Sequence, residues 1–160
     1  NAGISQVKSF LDITDKDLMK MLSVNLLGSF IFSQEIIPMM IKNNWGRIIN
    51  LSSIGGQFGG TNQIHYATAK SGLLGLTKSL AKLYAKNSIT INTVSPGLVE
   101  TDMTREEINS ENGKLKIKQI PMGRIAEMEE VISAIIFLTN DSSSYITGQC
   151  INVNGGMYFG

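Results

Sequence analysis

The chain has 160 residues, enough for one domain with a sizeable hydrophobic core. Hydrophobic residues make up 42% of it and charged residues 17%, the balance of an ordinary globular protein. The net charge of +1 gives no electrostatic reason to expect a nucleic-acid or anionic-membrane partner. A single cysteine, Cys150, allows no internal disulfide, as in a reducing compartment. We find no run of about 18 uncharged apolar residues and expect no membrane span.

Apolar periodicity predicts helices that alternate with short strands. Thr14 and Asp17 form a capping-box pattern at the start of a long helix over about residues 15–42, in which Pro38 marks a kink or a division. The later predicted segments, in chain order, are a strand at 47–52, a glycine-containing loop at 53–63, a helix at 64–86, a strand at 89–94 stopped by Ser95-Pro96-Gly97, a polar lid-like insert at about 100–121, a helix at 127–139 and a strand at 150–153. Strands alternating with long helices indicate a parallel sheet.

Side-chain size predicts how these helices pack. In the long helix the apolar positions, expected to be buried, include Leu18, Met21, Leu22, Leu26, Phe30 and Ile37. The helix at 64–86 carries a face of small residues, on which we expect another backbone to pack closely: Ala67, Ala69, Ser71, Gly72 and Gly75.

Tyr66 and Lys70 lie four residues apart, and Ser53 precedes Tyr66 by thirteen residues. Because residues four apart share one face of a helix, a phenol lies beside an ammonium. A phenol normally titrates near pH 10, and a neighbouring cation lowers its pKa. Such a tyrosine can protonate a carbonyl oxygen or deprotonate an alcohol, while a serine hydroxyl holds the same oxygen. Taken alone, Tyr and Lys at this spacing more often form a plain solvated helix face.

The predicted topology brings these residues to one edge of the sheet. Ser53 and the Ser95-Pro96-Gly97 turn both follow predicted strands, and Tyr66 and Lys70 lie early in the helix after Ser53. Ligands of open parallel sheets bind beyond the carboxyl ends of the strands. We therefore expect a ligand site at this edge.

The chain resembles the short-chain dehydrogenase/reductase family over its whole length. The residues that carry the resemblance are Asn1-Ala2-Gly3, Asn25, Ser53, Tyr66-x-x-x-Lys70, Pro96-Gly97 and Thr101. Segments 46–50, 95–103 and 153–158 are most similar to the 3-oxoacyl-[acyl-carrier-protein] reductases. The resemblance implies an α/β fold, a Rossmann-like doubly wound parallel sheet. Residues 1–160 would form the C-terminal part of one such domain, with the family's N-terminal strands and glycine-rich phosphate loop missing. A start without Met fits that expectation.

The resemblance also implies roles for individual residues. Tyr66 is the general acid/base, Lys70 lowers its pKa and binds the nicotinamide ribose, and Ser53 polarises the substrate carbonyl. Asn25 holds a water that links Lys70 to solvent. The implied cofactor is NADP or NAD, with NADP favoured, and the residues implied to contact it are Asn1, Tyr66, Lys70, Pro96, Gly97, Val99 and Thr101.

The implied reaction is NAD(P)H-dependent reduction of a 3-oxoacyl thioester in fatty acid biosynthesis, with acyl carrier protein as a partner. A homotetramer in the cytoplasm or an organelle matrix is also implied. Reductases of this kind tend to present arginines near Asn44 and Asn87, where this chain has only Lys42 and Lys86 close by. An NAD(P)-dependent dehydrogenase of a small alcohol, sugar or polyol is an alternative. So is an inactive fragment or assembly subunit, although the catalytic set is intact.

Several neighbouring residues have simpler interpretations. Ser52 competes with Ser53, but the spacing to Tyr66 favours Ser53, and Ser52 would satisfy loop backbone. His65 is expected to be a surface or capping residue without a role, and Cys150 a buried strand residue. Met103, in the lid-like insert, is placed to touch substrate. The glycines between Ser53 and Tyr66 favour a flexible loop over a phosphate loop.

Overall fold

The computed structural model describes residues 2–102 and 104–160. Three strands form one sheet in this part of the chain: β1 (Gly46–Leu51), β2 (Ile89–Pro96) and β3 (Cys150–Val153). The helices, in chain order, are α1 (Asp15–Leu22), α2 (Gly28–Asn43), α3 (Ile54–Phe58), α4 (Ile64–Tyr84), α5 (Arg105–Asn109), α6 (Glu111–Lys118) and α7 (Met128–Thr139). A π-helical turn at Ser23–Leu27 joins α1 to α2.

The sheet is parallel throughout, in the order β1-β2-β3, which confirms the predicted class. Gly46 of β1 lies opposite Ile89 of β2, and Thr93 of β2 lies opposite Cys150 of β3. Because β2 is central, seven of its eight residues are buried. Its continuous apolar and small polar sequence is what a strand covered on both faces requires.

Helices cover both faces of the sheet, as a doubly wound architecture demands. Ala81 of α4 packs on Ile89 and Ile91 on one face. On the other face Val131 of α7 packs on Val94. Successive side chains of a strand point to opposite faces of the sheet, so Ile89 and Ile91 point to one face and Val94 to the other. The residues of β2 therefore contribute to two separate hydrophobic cores.

The long N-terminal helix begins as the sequence predicts. The Thr14 hydroxyl accepts from the Asp17 amide, and the Asp17 carboxylate accepts from the Thr14 amide. Pro38 stands inside α2 without dividing it. Phe30 was expected to be buried and is 45% exposed, because α2 contacts the rest of the chain through a narrower stripe that contains Ser33 and Ile37.

The expectation about membrane spans needs a correction. By length and composition alone, the helical segment Asp15–Asn43 is apolar enough to cross a membrane, with a mean hydropathy of 1.4 and 17% of its most apolar window buried. Asn, Gln, Ser and Glu interrupt its apolar residues, so a count of consecutive apolar residues misses it. This is weak evidence, since the core helix of a soluble protein and a signal sequence meet the same criterion.

One predicted loop contains a helix, and the lid-like insert is helical. Residues 53–63 were expected to be flexible, yet α3 begins directly after Ser53, whose hydroxyl accepts from the Gly55 amide. Gly56 is buried, and a Cβ there would lie 2.8 Å from the backbone carbonyl carbon of Lys70. This glycine therefore permits close packing of α3 on α4. The lid-like insert at 100–121 holds α5 and α6.

Arg47 makes a cluster of polar contacts at the end of the sheet opposite Ser53. The Arg47 side chain is only 5% exposed and donates to the carbonyls of Gly46 and Ser88, at 2.9 and 3.2 Å. It also bonds Asp141 at 3.1 Å, and its guanidinium lies 5.1 Å from the ring centroid of Trp45. The Trp45 indole donates to the same Asp141 oxygen.

We expect Arg47→Leu to lower the free energy of unfolding of the complete protein by about 2 kcal/mol, because hydrogen bonds from a charged group contribute about 1.5–3 kcal/mol. Equilibrium urea denaturation measures this. Asp141→Asn is the matched control: the Asp141 side chain is 83% exposed, so its loss of charge should cost less than about 1 kcal/mol. Equal losses in the two variants would contradict a role for the carbonyl contacts.

Candidate active site

Ser53 and Tyr66 meet where β1 ends. Ser53 follows β1 closely and caps α3, while Tyr66 lies in the first turn of α4. Their side chains are close enough for the Ser53 hydroxyl to lower the pKa of Tyr66. Gly55 lies between them, since a Cβ on it would stand 3.6 Å from the Ser53 hydroxyl oxygen and 3.9 Å from the Tyr66 ring. The predicted convergence of serine and tyrosine is present in the structure.

Lys70 lies one helical turn beyond Tyr66 and is 7% exposed. Its ammonium donates to the Leu51 carbonyl at the end of β1, at 2.7 Å, and lies over the Tyr66 ring, 5.8 Å from its centroid. Burial lowers the Lys70 pKa from 10.5 to about 8. Ser52, the competing serine, donates to the Lys70 backbone carbonyl at 2.8 Å and so fixes backbone, as expected.

The sequence predicts a lowered pKa for Tyr66, and this net direction is wrong. The pKa of Tyr66 is raised above 10.0, because burial outweighs the opposite effect of the hydrogen bond with Ser53. The sequence argument considered the neighbouring cation and left out desolvation of the phenolate. A raised pKa keeps the phenol protonated at neutral pH, so Tyr66 is ready to donate a proton.

Asn25 completes the cluster from the π-helical turn. It is 2% exposed, its amide nitrogen donates to the Ile4 carbonyl at 2.9 Å, and its oxygen accepts from the Ile4 amide at 3.1 Å. A Cβ on Gly3 would lie 3.2 Å from the Asn25 oxygen and 3.9 Å from the Lys70 ammonium. Gly3 therefore lies beside both side chains, which groups Asn25 with the other three predicted catalytic residues.

The predicted cofactor contacts at the end of β2 form a separate segment. The Gly97 amide donates to the Val153 carbonyl at 2.9 Å, and Val99 is 8% exposed in a bridge with Ala126. The Thr101 amide donates to Thr104 at 3.0 Å. Among the described residues no hydrogen bond links this segment to Tyr66 or Lys70. Asn1 and Met103 lie outside the described residues.

The cluster suits a nicotinamide ribose. The Leu51 carbonyl takes one of the three N–H donors of Lys70, which leaves two for hydroxyl groups. A Cβ on residue 3 would stand closer than usual to the Asn25 oxygen, so glycine suits this position and keeps its backbone accessible to a ligand. Lys70 and Tyr66 would hold the ribose.

A cavity of about 600 Å³ lies elsewhere, beyond β3. Ile120, Met122 and Tyr158 line it, and Ser53, Tyr66 and Lys70 do not. We place the candidate site at the polar cluster, because Arg124 and Glu130 of the cavity pair with each other at 2.7 Å, whereas the cluster brings serine, tyrosine and lysine together.

Two further residues near the cluster, His65 and Gln57, make contacts that the sequence did not predict. His65 was expected at the surface, yet it is 2% exposed and its Nε2 lies 2.9 Å from the Gln6 side-chain oxygen. Gln57 accepts from the Ser95 hydroxyl at 2.8 Å and ties α3 to β2. A helical pattern over 54–65 was the only signal available for either residue. Cys150 is half-buried, as expected of a strand residue, and burial raises its pKa.

The fold and the cluster together define a class: α/β domains that gather serine, tyrosine and lysine at the carboxyl ends of parallel strands. The family model described as enoyl-(acyl carrier protein) reductase matches residues 1–158. The chain belongs to the short-chain dehydrogenase/reductase family.

Curated relatives agree with this assignment. The chain is 48% identical over 159 residues to 3-oxoacyl-[acyl-carrier-protein] reductase FabG of Aquifex aeolicus, an alignment that covers 99% of this chain and 63% of the relative. It is 44% identical to the protein of the same name from Rickettsia conorii, with 98% and 65% covered. The chain thus spans a little under two thirds of the length of these relatives.

Among solved structures, the chain is similar to a gluconate 5-dehydrogenase from Burkholderia cenocepacia in complex with NADP and tartrate. The TM-score is 0.95 at 30% identity, and the match covers 98% of this chain and 62% of that one. The Rossmann-like fold inferred from the sequence is confirmed.

The buried ammonium predicts a pH dependence of stability. Because the Lys70 pKa falls from 10.5 to about 8, the unfolded state binds more protons than the folded state between those values. The stability of the wild-type protein relative to Lys70→Met should therefore rise with pH across that window, by up to about 3 kcal/mol. Urea denaturation of both proteins from neutral pH to about pH 10 measures the difference. A difference that stays flat with pH would contradict burial of the charge.

Proposed function

We propose that the complete protein reduces a carbonyl group to a secondary alcohol with a nicotinamide cofactor, NADPH in preference to NADH. The observation that carries this proposal is the buried Ser53–Tyr66–Lys70 cluster at the carboxyl ends of the strands. The Aquifex aeolicus and Rickettsia conorii relatives are named as reductases, and the Burkholderia cenocepacia structure holds NADP, which supports the cofactor.

Ser53, Tyr66 and Lys70 have different roles in this reaction. Ser53 and the Tyr66 phenol both donate hydrogen bonds to the substrate carbonyl oxygen and so polarise the carbonyl carbon. The cofactor, when bound, supplies the hydride to that carbon. Tyr66 gives its proton to the oxygen as the alcohol forms, and the resulting phenolate is stabilised by the nearby ammonium. Lys70, with a pKa of about 8, can return a proton to the phenolate. Asn25 holds the loop beside that ammonium.

We propose a 3-oxoacyl thioester carried by acyl carrier protein as the substrate, because the curated relatives carry that activity in their names. The product is the 3-hydroxyacyl thioester, in fatty acid biosynthesis. A small alcohol, sugar or polyol is the second candidate, favoured by the likeness to a gluconate dehydrogenase structure. The intact catalytic cluster speaks against an inactive assembly subunit.

We also propose a cytoplasmic homotetramer. The outer face of α2 exposes large apolar side chains, with Phe30, Ile31 and Ile41 each at least 40% exposed. A groove of about 330 Å³ between α2 and α4 adds apolar surface. Contiguous apolar surface of this kind marks an interaction site. The residues around 151–160 would supply the second interface, and the bacterial relatives favour the cytoplasm.

Tyr66→Phe in the complete protein should lower kcat/KM for a short 3-oxoacyl thioester by about 100-fold or more, since general acid catalysis contributes about 100- to 10,000-fold. NADPH oxidation followed by absorbance measures it, and thermal unfolding verifies the fold. Tyr84→Phe, at the far end of α4, is the control and should keep wild-type activity. Retention of most activity in Tyr66→Phe would overturn its role. Failure of the wild type to oxidise NADPH or NADH with the thioester would favour the second substrate class.

Lys42 and Lys86 test whether a carrier protein docks near Asn44 and Asn87. Because cations favour association with an acidic surface, Lys42→Glu with Lys86→Glu should lower kcat/KM for the carrier-bound thioester by about 10-fold or more. The same variant should turn over a short thioester without a carrier at the wild-type rate. Lys16→Glu, on α1, is a control for charge reversal. Equal losses with both substrates would count against carrier docking at this surface.

A further inference from the structure

A short segment near the start of the chain crosses the candidate site without regular structure. Residues 3–8, which we call the strap, lie in neither a helix nor a strand. The strap runs from the Lys70 ammonium to the start of α4, where Tyr66 lies. Among the described residues it makes no ladder of backbone hydrogen bonds, and the contacts that hold it there are individual ones.

Asn25 holds the first end of the strap. Its carboxamide makes a pair of hydrogen bonds with the amide and carbonyl of Ile4, at 3.1 and 2.9 Å. These bonds hold Ile4, and with it Gly3, beside Asn25 and near the ammonium of Lys70. Any movement of the strap therefore changes what surrounds that ammonium.

His65 holds the second end. Its Nε2 lies 2.9 Å from the side-chain oxygen of Gln6, which is 59 residues away along the chain. The Gln6 amide nitrogen donates to Asp17 at 3.4 Å, and the Lys8 ammonium lies 2.6 Å from the same carboxylate. The Lys8 amide also donates to the Asn62 carbonyl at 2.8 Å. The strap is thus tied to both α1 and α4.

The contacts of Gln6 assign the tautomer of His65. Because the Gln6 nitrogen donates to Asp17, its oxygen is the acceptor, and His65 Nε2 carries the hydrogen. His65 Nδ1 is buried and has no hydrogen-bond partner in the described structure. A buried nitrogen without a partner costs free energy, and a leucine would avoid that cost. The imidazole is therefore a poor choice for stability alone, and its contribution is the bond to Gln6.

We propose that His65 is a positioning residue, which through Gln6 fixes the strap so that Gly3 and Ile4 keep Asn25 and Lys70 in their reactive arrangement. This inference rests on the proposed carbonyl reduction. His65 touches none of the reacting groups. It immediately precedes Tyr66, so one turn of α4 carries both the proton donor and the anchor of the segment that borders its lysine.

The test compares His65→Leu with His65→Gln in the complete protein. Glutamine places its amide nitrogen near the position of His65 Nε2 and can still donate to Gln6, whereas leucine fills the space without a donor. Thr77→Val is the matched control. Thr77 is a buried polar residue on the same helix, bonded to Asn50 at 2.8 Å and remote from the strap in sequence.

Hydrogen exchange of the free protein and steady-state kinetics give two independent measurements. In His65→Leu the amides of Ile4 and Lys8 should exchange faster, and kcat should fall about 10- to 100-fold with a smaller change in KM, because small misplacement of catalytic groups costs this much. His65→Gln should restore most of both properties. Thr77→Val should lower the unfolding temperature while leaving strap exchange and kcat unchanged.

Unchanged strap exchange in His65→Leu would overturn the proposal, as would a kcat loss that glutamine fails to rescue. A loss in Thr77→Val as large as in His65→Leu would reduce His65 to a stability residue and also overturn it. Exchange is measured without substrate, so it decides whether His65 anchors the strap even if the wild type reduces no carbonyl compound. That last result would overturn the proposed function and leave the anchor standing.

Discussion

The arrangement of the site depends on the burial of one ammonium group. A buried cation is costly unless hydrogen-bonded, and the Leu51 carbonyl at the end of β1 provides a bond of 2.7 Å to Lys70. In return, the Ser52 hydroxyl donates to the backbone carbonyl of Lys70. These two contacts fix the position of α4 along the direction of β1. Ser53 follows Ser52 directly and Tyr66 lies one helical turn before Lys70, so the docking that satisfies Lys70 also places the serine near the tyrosine.

The sheet face beneath α4 supports this docking with polar contacts. The Asn50 amide donates to the Thr77 hydroxyl at 2.8 Å, and Thr77 lies 2.8 Å from Thr93. Both strand residues are buried and lie opposite each other in register. A hydrogen bond is directional in a way that apolar packing is not. These bonds stabilise the packing of α4 on the strands about two turns beyond Lys70, and neither Ser53 nor Tyr66 takes part in them.

The features that sequence reasoning found are local ones. The Thr14–Asp17 cap is set by neighbours along the chain and matches the structure, and the strands lie within two residues of their predicted bounds, although β2 continues through Ser95 and Pro96, which were predicted to stop it. The features that the sequence did not predict depend on residues that are distant along the chain. The helix α3 exists because its Gly56 packs on the backbone of Lys70, and glycine-rich sequence by itself suggests the opposite. The pKa direction of Tyr66 requires knowledge of burial, and the setting of His65 requires a residue 59 positions away.

The π-helical turn at Ser23–Leu27 also determines which side chains of α2 face the body of the protein. An α-helix advances about 100° per residue, so the additional residue in a wide turn rotates α2 relative to α1 by about that angle. Deleting one residue there would relax the turn to a regular helix. The same shift would move Asn25 off Ile4 or carry Ser33 and Ile37 away from the body of the protein. Asn25 and the exposed apolar face of α2 therefore share a single length constraint, and neither can be adjusted by insertion or deletion without displacing the other.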